Sequence, residues 1–248
     1  MKTVAIIPAG GSGTRMKSAT PKQYLLLGGI PILVHTLQVF QETPAVDDIF
    51  LVLPAQDVES TGEKIVEKYS LTKVSRILAG GKHRQDSVKS GIDALGAEYD
   101  VVMIHDGVRP FVSRELVDMA IREAAEAAAV TVGVPVRDTV KTVGARGFVG
   151  RTLKRDKLWL TQTPQAFAAP VIKEAYRRAY EDDYYGTDDA VLVERMGIKV
   201  KMLPGSYDNI KITTETDIEW GKLLLKMRGE RDECNKRRKT PNMAGSGK

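Results

Sequence analysis

The chain has 248 residues, of which 42% are hydrophobic and 28% charged, so a packed globular protein is expected rather than a disordered chain. Its net charge is +5, but part of the excess lies in the late run Lys236–Lys239 and only 6% of residues are aromatic. Both features argue against nucleic-acid binding. A single cysteine, Cys234, excludes a disulfide framework and indicates a reducing, cytoplasmic compartment. No apolar run of about 18 residues occurs, so no membrane span is predicted.

Short apolar runs alternate with helical patterns through the first half of the chain. The predicted strands are residues 4–7, 49–53, 74–78, 101–104 and 130–134, and the predicted helices are 31–42, 57–69, 84–95 and 114–128. Nearly continuous apolar strands are typical of parallel sheets covered on both faces. The alternation therefore predicts an α/β fold with a doubly wound, mostly parallel Rossmann-like sheet.

Residues 137–162 interrupt this rhythm, because polar and apolar residues alternate around several glycines. The pattern predicts a protruding two-stranded arm, which would be marginally stable alone and so needs a packing partner such as a second subunit. Further helices are predicted near 171–181 and 188–196, strands near 198–203 and 209–213, and a last helix after Thr214. Residues 1–228 then form one domain, and 229–248 a basic tail predicted to be disordered.

The loop after the first strand reads Pro8-Ala-Gly-Gly-Ser-Gly-Thr-Arg-Met16. Its glycines let backbone N–H groups approach phosphates, and Arg15 adds a cation. The dinucleotide fingerprint needs a glycine where Met16 stands and an acid after the second strand, where Pro54 follows instead. A dinucleotide-binding regulator is therefore disfavoured. A glycine-rich turn with a solvated arginine is the alternative without function.

Lys22 follows seven residues after Arg15, in a loop that leaves the same end of the sheet, and the two cations together suit a triphosphate. The run Gly80-Gly-Lys-His-Arg-Gln-Asp-Ser87 opens a helix and offers a second anion- or base-contacting surface. Its Ser87 is equally compatible with an ordinary hydroxyl on a helix surface.

The run His105-Asp-Gly-Val-Arg-Pro110 follows the fourth strand, at the sheet edge where open α/β sheets bind ligands. Asp106 is a natural oxygen ligand for Mg²⁺, and Arg109 can pair with a phosphate. His105 is expected to orient the loop rather than act as a base. The alternative is a turn capped by Asp106 and neutralised by Arg109. Three later runs, 163–165, 186–190 and 208–214, are individually unremarkable.

The ordered set of motifs resembles the 2-C-methyl-D-erythritol 4-phosphate cytidylyltransferase family over residues 3–226. The motifs are Pro-Ala-Gly-Gly-Ser-Gly-Thr-Arg-Met, Pro-Lys-Gln-Tyr, Gly-Gly-x-x-Arg-x-x-Ser, His-Asp-Gly-Val-Arg-Pro, Thr-Pro-Gln-x-Phe, Thr-Asp-Asp-Ala and Asn-Ile-Lys-Ile-Thr. The resemblance implies a fold of the nucleotidyltransferase type and a homodimer whose arms swap. It also implies transfer of CMP from CTP to a polyol phosphate with Mg²⁺, in non-mevalonate isoprenoid precursor biosynthesis.

The resemblance also implies roles for particular residues. The catalytic cations are Arg15, Lys22 and Lys211, and the metal ligand is Asp106. The nucleotide-binding residues are Pro8, Ala9, Gly10, Gly11, Ser12, Gly13, Gly81, Arg84, Ser87 and Gly107. The residues for the acceptor are Arg109, Thr139, Arg155, Thr163 and Thr187, with Thr139 and Arg155 supplied by the partner's arm. A ribitol-5-phosphate cytidylyltransferase shares these features, so the identity of the acceptor stays open.

Overall fold

The computed structural model of the chain describes residues 1–10 and 20–239, with side chains described as far as Glu230. A seven-stranded sheet forms its centre, in the order β11-β7-β10-β6-β1-β4-β5. These strands are β1 (Thr3–Pro8), β4 (Asp48–Leu53), β5 (Val74–Ala79), β6 (Val101–Ile104), β7 (Ala129–Pro135), β10 (Trp159–Ala168) and β11 (Lys201–Pro204). All neighbours pair in parallel except β10, which is antiparallel to both β6 and β7. The predicted mostly parallel sheet is confirmed.

Helices cover both faces of this sheet. They are α1 (Ile32–Glu42), α2 (Glu63–Lys68), α3 (Arg84–Asp93), α4 (Arg114–Ala127), α5 (Ala169–Glu181), α6 (Ala190–Glu194) and α7 (Glu215–Lys239). Alternate residues of a strand serve different faces, as in β1, where Ala5 and Ile7 pack with α1 and α4 while Val4 and Ile6 pack with α3 and α5. This two-sided burial explains the continuous apolar runs. None of the helices among the described residues is long and apolar enough to cross a membrane.

The strand β10 was not predicted, and it shortens the predicted arm. Its first residues, 159–162, pair with β7, so the arm ends earlier than the predicted 137–162. Its middle contains Thr163–Pro164, which resembles a turn in the sequence because proline cannot donate to a strand ladder. A register shift between Gln162 and Gln165 accommodates the proline within the sheet. Thr163, which is predicted to contact the acceptor, therefore lies inside the central sheet.

The arm itself is a small antiparallel sheet of β8 (Lys141–Val143) and β9 (Val149–Thr152). Both of its strands are exposed in the single chain. A second two-stranded sheet joins β2 (Leu26–Leu27) to β3 (Ile30–Pro31) beside the first loop. Short 3-10 turns lie at Lys22–Tyr24, Ala55–Asp57 and Arg155–Lys157, and a π turn, Val58–Gly62, leads into α2.

One prediction for the C-terminal part is wrong. The strand expected at 209–213 is instead irregular chain, anchored by the N–H of Ile212, which donates to the carbonyl of Val108 at 2.9 Å. The helix α7 extends to Lys239, beyond the start of the predicted tail at residue 229, and the disorder of that tail stays a prediction. Glutamate, arginine and lysine are good helix formers, so a polar composition does not end a helix. The helix predicted after Thr214 is confirmed, and its first turn is capped by Asp217, which accepts from the N–H of Thr214 at 2.8 Å.

The order of the strands fixes where a ligand binds. The chain runs outward from β1 through β4 to β5 and then returns to place β6 on the other side of β1. Such a reversal leaves a crevice at the carboxyl ends of the two central strands. The first loop follows β1 and the His105–Pro110 run follows β6, so both motifs meet at this crevice.

Candidate active site at the switch point of the sheet

A cavity of about 270 Å³ opens at the crevice. Described residues that line it come from the ends of β1 and β6, the start of α3, the Lys22–Tyr24 turn and the 208–214 segment. They are Pro8, Ala9, Gly10, Lys22, Gln23, Gly81, Lys82, His83, Arg84, Ser87, Asp106, Val108 and Lys211. The structure thus brings together most of the predicted nucleotide residues that it describes. The predicted residues Gly11, Ser12, Gly13 and Arg15 lie outside the described residues.

The Asp106 carboxylate is the centre of an ion cluster. Its Oδ1 lies 2.8 Å from Nε of Arg84, and its Oδ2 lies 2.8 Å from Nζ of Lys211 and 3.6 Å from Nε of Arg109. The carboxylate is 8% exposed. Burial alone would raise the pKa of Asp106, but Arg84, Lys211 and Arg109 hold it well below its ordinary value. Asp106 is therefore ionised throughout the neutral range.

A second cavity, of about 280 Å³, lies on the other side of this cluster. Arg84, Asp106 and Lys211 line both cavities and form a shared wall. The remaining lining residues of the second cavity are Arg109, Thr161, Gln162, Thr163, Gln165, Thr187 and Asp188. The predicted acceptor residues Arg109, Thr163 and Thr187 are therefore all at this second cavity. Two adjoining cavities that share a charged wall are suited to a reaction in which two bound ligands must come into contact.

Glycines at the first cavity allow the backbone to pack closely. A Cβ atom on Gly107 would lie 3.0 Å from both the Cβ of Ala9 and the Cδ1 of Leu33. The N–H of Gly107 donates to the carbonyl of Pro8 at 3.1 Å, which joins the loops after β6 and β1. Gly107 does not line either cavity, and its close packing holds these two loops together; its predicted contact with the nucleotide stays a prediction.

Lys211 reaches the cluster because the irregular 208–214 segment is pinned against β10. The side chain of Asn209 is fully buried, and its Nδ2 donates to the carbonyl of Thr163 at 2.9 Å. The carbonyl of Asn209 accepts from Nη1 of Arg109 at 2.9 Å. Sequence reasoning missed Asn209, although it stands in the Asn-Ile-Lys-Ile-Thr motif two residues before Lys211.

His105 supports the site from behind. It is fully buried, its Nε2 lies 3.1 Å from the carbonyl of Arg109, and its ring is 5.0 Å from that of Phe40. Thr163 Oγ1 lies 3.2 Å from its Nδ1 and also accepts from the N–H of Asp106 at 3.1 Å. His105 lines neither cavity, so the prediction that it orients the loop agrees with its contacts.

Burial lowers the pKa of His105 to about 4, from an ordinary value of 6.5. As the pH falls below 6.5, the unfolded chain binds a proton at this position before the folded chain does. The free energy of unfolding is therefore expected to fall by up to about 3 kcal/mol between pH 6.5 and 4 through this group. Chemical denaturation at several pH values measures the effect. In His105→Gln the fall should be smaller, whereas His83→Gln, which replaces an exposed histidine, should retain it; an unchanged fall in His105→Gln would contradict the assignment.

Two arm residues predicted to bind the acceptor are remote from these cavities within one chain. Thr139 and Arg155 are exposed and line neither cavity. Arg155 instead donates from Nη1 to the carbonyl of Arg137 at the base of the arm. Within one chain, neither residue therefore contributes to the lining of either cavity.

Sequence reasoning also missed the residues that hold the 186–190 segment. Gln165 Oε1 accepts from the N–H groups of Asp189 and Ala190, at 3.0 and 3.1 Å. Asp189 in turn accepts from Nη2 of Arg84 at 2.8 Å. Both residues belong to quoted motifs, Thr-Pro-Gln and Thr-Asp-Asp-Ala, so the signal was present, but the partners are far apart in sequence.

Asp106 is the one described carboxylate lining the first cavity. No group of three or more histidine, cysteine, aspartate or glutamate side chains suited to a metal occurs in the part of the chain that the structure describes. Mg²⁺ commonly uses one or two carboxylates and completes its shell with phosphate oxygens and water. A site built from Asp106 and a bound triphosphate fits that chemistry, whereas a metal cage made by the protein alone does not.

The strand order and the cation-lined cavity at the switch point define an α/β nucleotide-binding protein. A family model described as 2-C-methyl-D-erythritol 4-phosphate cytidylyltransferase matches residues 3–227. The chain belongs to this family, a group of nucleotidyltransferases, and the resemblance drawn from its motifs is confirmed.

Individual relatives agree with the family assignment. A 2-C-methyl-D-erythritol 4-phosphate cytidylyltransferase of Syntrophus aciditrophicus is 50% identical, over 91% of this chain and 96% of its own length. A protein with the same name from Geobacter metallireducens is 47% identical, over 91% and 98%. The crystal structure of 4-diphosphocytidyl-2C-methyl-D-erythritol synthase from Anaerococcus prevotii superposes with a TM-score of 0.80 at 35% identity, covering 91% of this chain and 96% of that one.

Proposed function

We propose that the chain transfers CMP from CTP to 2-C-methyl-D-erythritol 4-phosphate, giving 4-diphosphocytidyl-2-C-methyl-D-erythritol and pyrophosphate. The reaction belongs to isoprenoid precursor biosynthesis. Family membership supports the reaction and the acceptor. The observation on the molecule that carries the proposal is the pair of cavities separated by Arg84, Asp106 and Lys211.

CTP is assigned to the first cavity and the acceptor to the second. On the nucleotide side, Pro8, Ala9, Gly10, Gly81, Arg84 and Ser87 line the first cavity, with Gly107 joining the loops behind it. Gly11, Ser12, Gly13 and Arg15 extend the same loop in the sequence. On the acceptor side, Arg109, Thr163 and Thr187 offer a cation and two hydroxyl groups. These are suitable partners for a phosphate and a polyol.

The chemistry is an in-line attack. A phosphate oxygen of the acceptor forms a bond to the α-phosphorus of CTP, the bond from that phosphorus to the bridging oxygen of the β-phosphate breaks, and pyrophosphate leaves with the electron pair. A phosphate monoester is ionised at neutral pH and needs no covalent protein intermediate. The chain supplies position and positive charge, chiefly from Lys22, Lys211 and Arg15.

We further propose that Mg²⁺ is held by Asp106 together with the phosphates of CTP. When bound, the ion would neutralise phosphate charge as the pyrophosphate departs. The carboxylate of Asp106 contacts three cationic side chains, Arg84, Lys211 and Arg109, so an excess of positive charge remains around it for the phosphates of the ligands. We also infer a cytoplasmic location, which rests on the single cysteine of the chain.

The active form is proposed to be a homodimer with exchanged arms. The arm exposes the apolar side chains of Val143, Phe148 and Val149, and Phe148 at its turn is 72% exposed. Exposed apolar residues in such number are unfavourable on an isolated hairpin. A second copy would cover them, and each arm would then bring Thr139 and Arg155 to the acceptor cavity of the other subunit.

Replacing Arg155 with alanine is expected to raise the KM for the acceptor by about 10- to 100-fold, because a charge-assisted bond to the acceptor phosphate is lost. The KM for CTP should change little. Arg151→Ala, on the same arm, is the matched control. Mixed dimers test the exchange of arms: one Arg155→Ala chain and one Lys211→Ala chain should together form one complete site. If the mixture is no more active than its components, the arms are not exchanged.

The proposed reaction is tested by one assay. The chain is supplied with CTP, Mg²⁺ and either 2-C-methyl-D-erythritol 4-phosphate or ribitol 5-phosphate, and release of pyrophosphate is measured. Release with the erythritol compound supports the proposal. Release only with ribitol 5-phosphate would make the chain a ribitol-5-phosphate cytidylyltransferase on the same fold. Release with neither acceptor would overturn the proposed function.

A further inference from the structure

Asp189 is a buried acid in the Thr-Asp-Asp-Ala motif. No role was predicted for it from the sequence. Its side chain is 1% exposed and lies immediately before α6. One carboxylate oxygen accepts from Nη2 of Arg84 at 2.8 Å, and the other accepts from the hydroxyl of Tyr176 at 2.6 Å. A buried carboxylate is stable only when it is paired and hydrogen-bonded, and these two donors meet that need.

Arg84 is consequently held from two sides. Its Nε donates to Asp106 at 2.8 Å while its Nη2 donates to Asp189 at 2.8 Å. The planar guanidinium fork is suited to bridging two carboxylates in a fixed orientation. Because Arg84 belongs to the wall between the two cavities, its orientation affects both ligands.

The backbone around Asp189 cannot move independently of the acceptor cavity. Thr187 and Asp188, the residues just before it, line that cavity. Gln85, the residue after Arg84 in α3, accepts through Oε1 from the N–H of Gly186 at 2.8 Å. The segment 186–189 is thus joined to the start of α3 by a hydrogen bond from the N–H of Gly186 to the side chain of Gln85 and by the ion pair of Asp189 with Arg84.

We propose that Asp189 is a positioning residue that fixes Arg84 between the two cavities and so couples the acceptor segment 186–189 to the nucleotide side. The inference rests on the proposed function. Without the negative charge of Asp189, Arg84 would be drawn wholly to Asp106. It would then compete with Lys211, and with a metal, for that carboxylate.

Asp189→Asn keeps the size of the side chain and removes its charge. Turnover at saturating CTP and acceptor is expected to fall by about 10- to 100-fold, because a misplacement of about 1 Å in a group that positions the ligands can cost about 100-fold in rate. Tyr176→Phe is the matched control, because it removes the second hydrogen bond to Asp189 but leaves the pair with Arg84. Its turnover should stay within about threefold of the wild type.

The decisive readout is a double-mutant cycle with Arg84→Ala. If Asp189 acts through Arg84, the double variant turns over no more slowly than Arg84→Ala alone. A merely structural role would instead make the two losses multiply, which would overturn the proposal. Wild-type turnover in a folded Asp189→Asn would overturn it as well.

Arg84→Lys keeps the inference testable where Asp189→Asn does not fold. Lysine retains the charge but lacks the fork that contacts two carboxylates at once. Reduced turnover in a folded Arg84→Lys supports the proposal, and wild-type turnover overturns it. The wild-type assay distinguishes failure of the proposed function from failure of this inference. An inactive wild type would contradict the proposed function. An active wild type together with an equally active Asp189→Asn variant would contradict only the role of Asp189.

Discussion

Asp106→Asn is expected to lower turnover by about 1,000-fold or more, the largest effect of any single substitution considered. The change removes the one described carboxylate of the nucleotide cavity and with it the proposed support for Mg²⁺. It also leaves Arg84, Arg109 and Lys211 close together without their shared counter-ion. Pyrophosphate release at saturating substrates, with Mg²⁺ varied, measures the loss. Excess Mg²⁺ is not expected to restore the rate.

Asp48→Asn provides the control for this substitution. Like Asp106, Asp48 is an ion-paired acid, and its carboxylate lies 3.1 Å from Nζ of Lys2. It accepts a further hydrogen bond from the hydroxyl of Tyr99. Unlike Asp106, it lies at the opposite end of the sheet. Its replacement should reduce stability without changing turnover. A folded Asp106→Asn that retains turnover within about tenfold of the wild type would contradict the central place of Asp106 in the reaction.

Asp106 and His105 are expected to affect the free energy of unfolding in different pH ranges. Burial opposes ionisation of Asp106, but its three cationic neighbours hold its pKa well below the ordinary 3.8. The stability that these contacts provide is present above the unfolded pKa and is lost only as the pH falls through the lower folded pKa. His105 acts in the higher window, between about 6.5 and 4. Neither group is therefore expected to cause a rise or fall in turnover between pH 6 and 8.

The sequence predicted the strands that are marked by a run of neighbouring apolar residues. The strands β1, β4, β6 and β7 are nearly continuous apolar runs and are almost fully buried, whereas β5, at the edge of the sheet, is partly exposed. The strand β10 was missed because Pro164 removes a ladder donor, a cost that the register shift next to it absorbs. Residues 209–213 alternate like a strand, but Ile212 is used to pack beside Val108 and Phe111 instead of pairing in a sheet.

The site was predictable where its residues follow strands. Asp106, Arg109 and the first loop could be placed at one edge of the sheet because parallel strands share that edge. The pairing of Arg84 with Asp189 could not be, since the two residues are 105 positions apart and meet only through the packing of α3 against α5 and α6. The contact of Asn209 with Thr163 of β10 could not be predicted for the same reason. Supporting contacts of this kind depend on tertiary geometry rather than on a local pattern.

Lys211→Ala is expected to reduce turnover by about 100- to 1,000-fold, as when one preorganised group that stabilises developing charge is removed. Nζ of Lys211 lies at the wall between the cavities, where the acceptor phosphate and the α-phosphate of CTP are proposed to meet. The ammonium group is also partly exposed, so its removal should cost little stability. The expected signature is thus a large fall in kcat with a nearly unchanged melting temperature.

Lys201→Ala is the matched control, because Lys201 is likewise a partly exposed lysine paired with a single acid, Glu123, but it lies on the edge strand β11. Its turnover should equal that of the wild type. Lys211→Arg adds a second comparison: it keeps the charge but replaces a compact ammonium with a broad fork, and only partial recovery is expected. If Lys211→Ala and Lys201→Ala are equally active, the charge at the shared wall does not act on the transferred phosphate. The assignment of Lys211 as a catalytic cation would then be wrong.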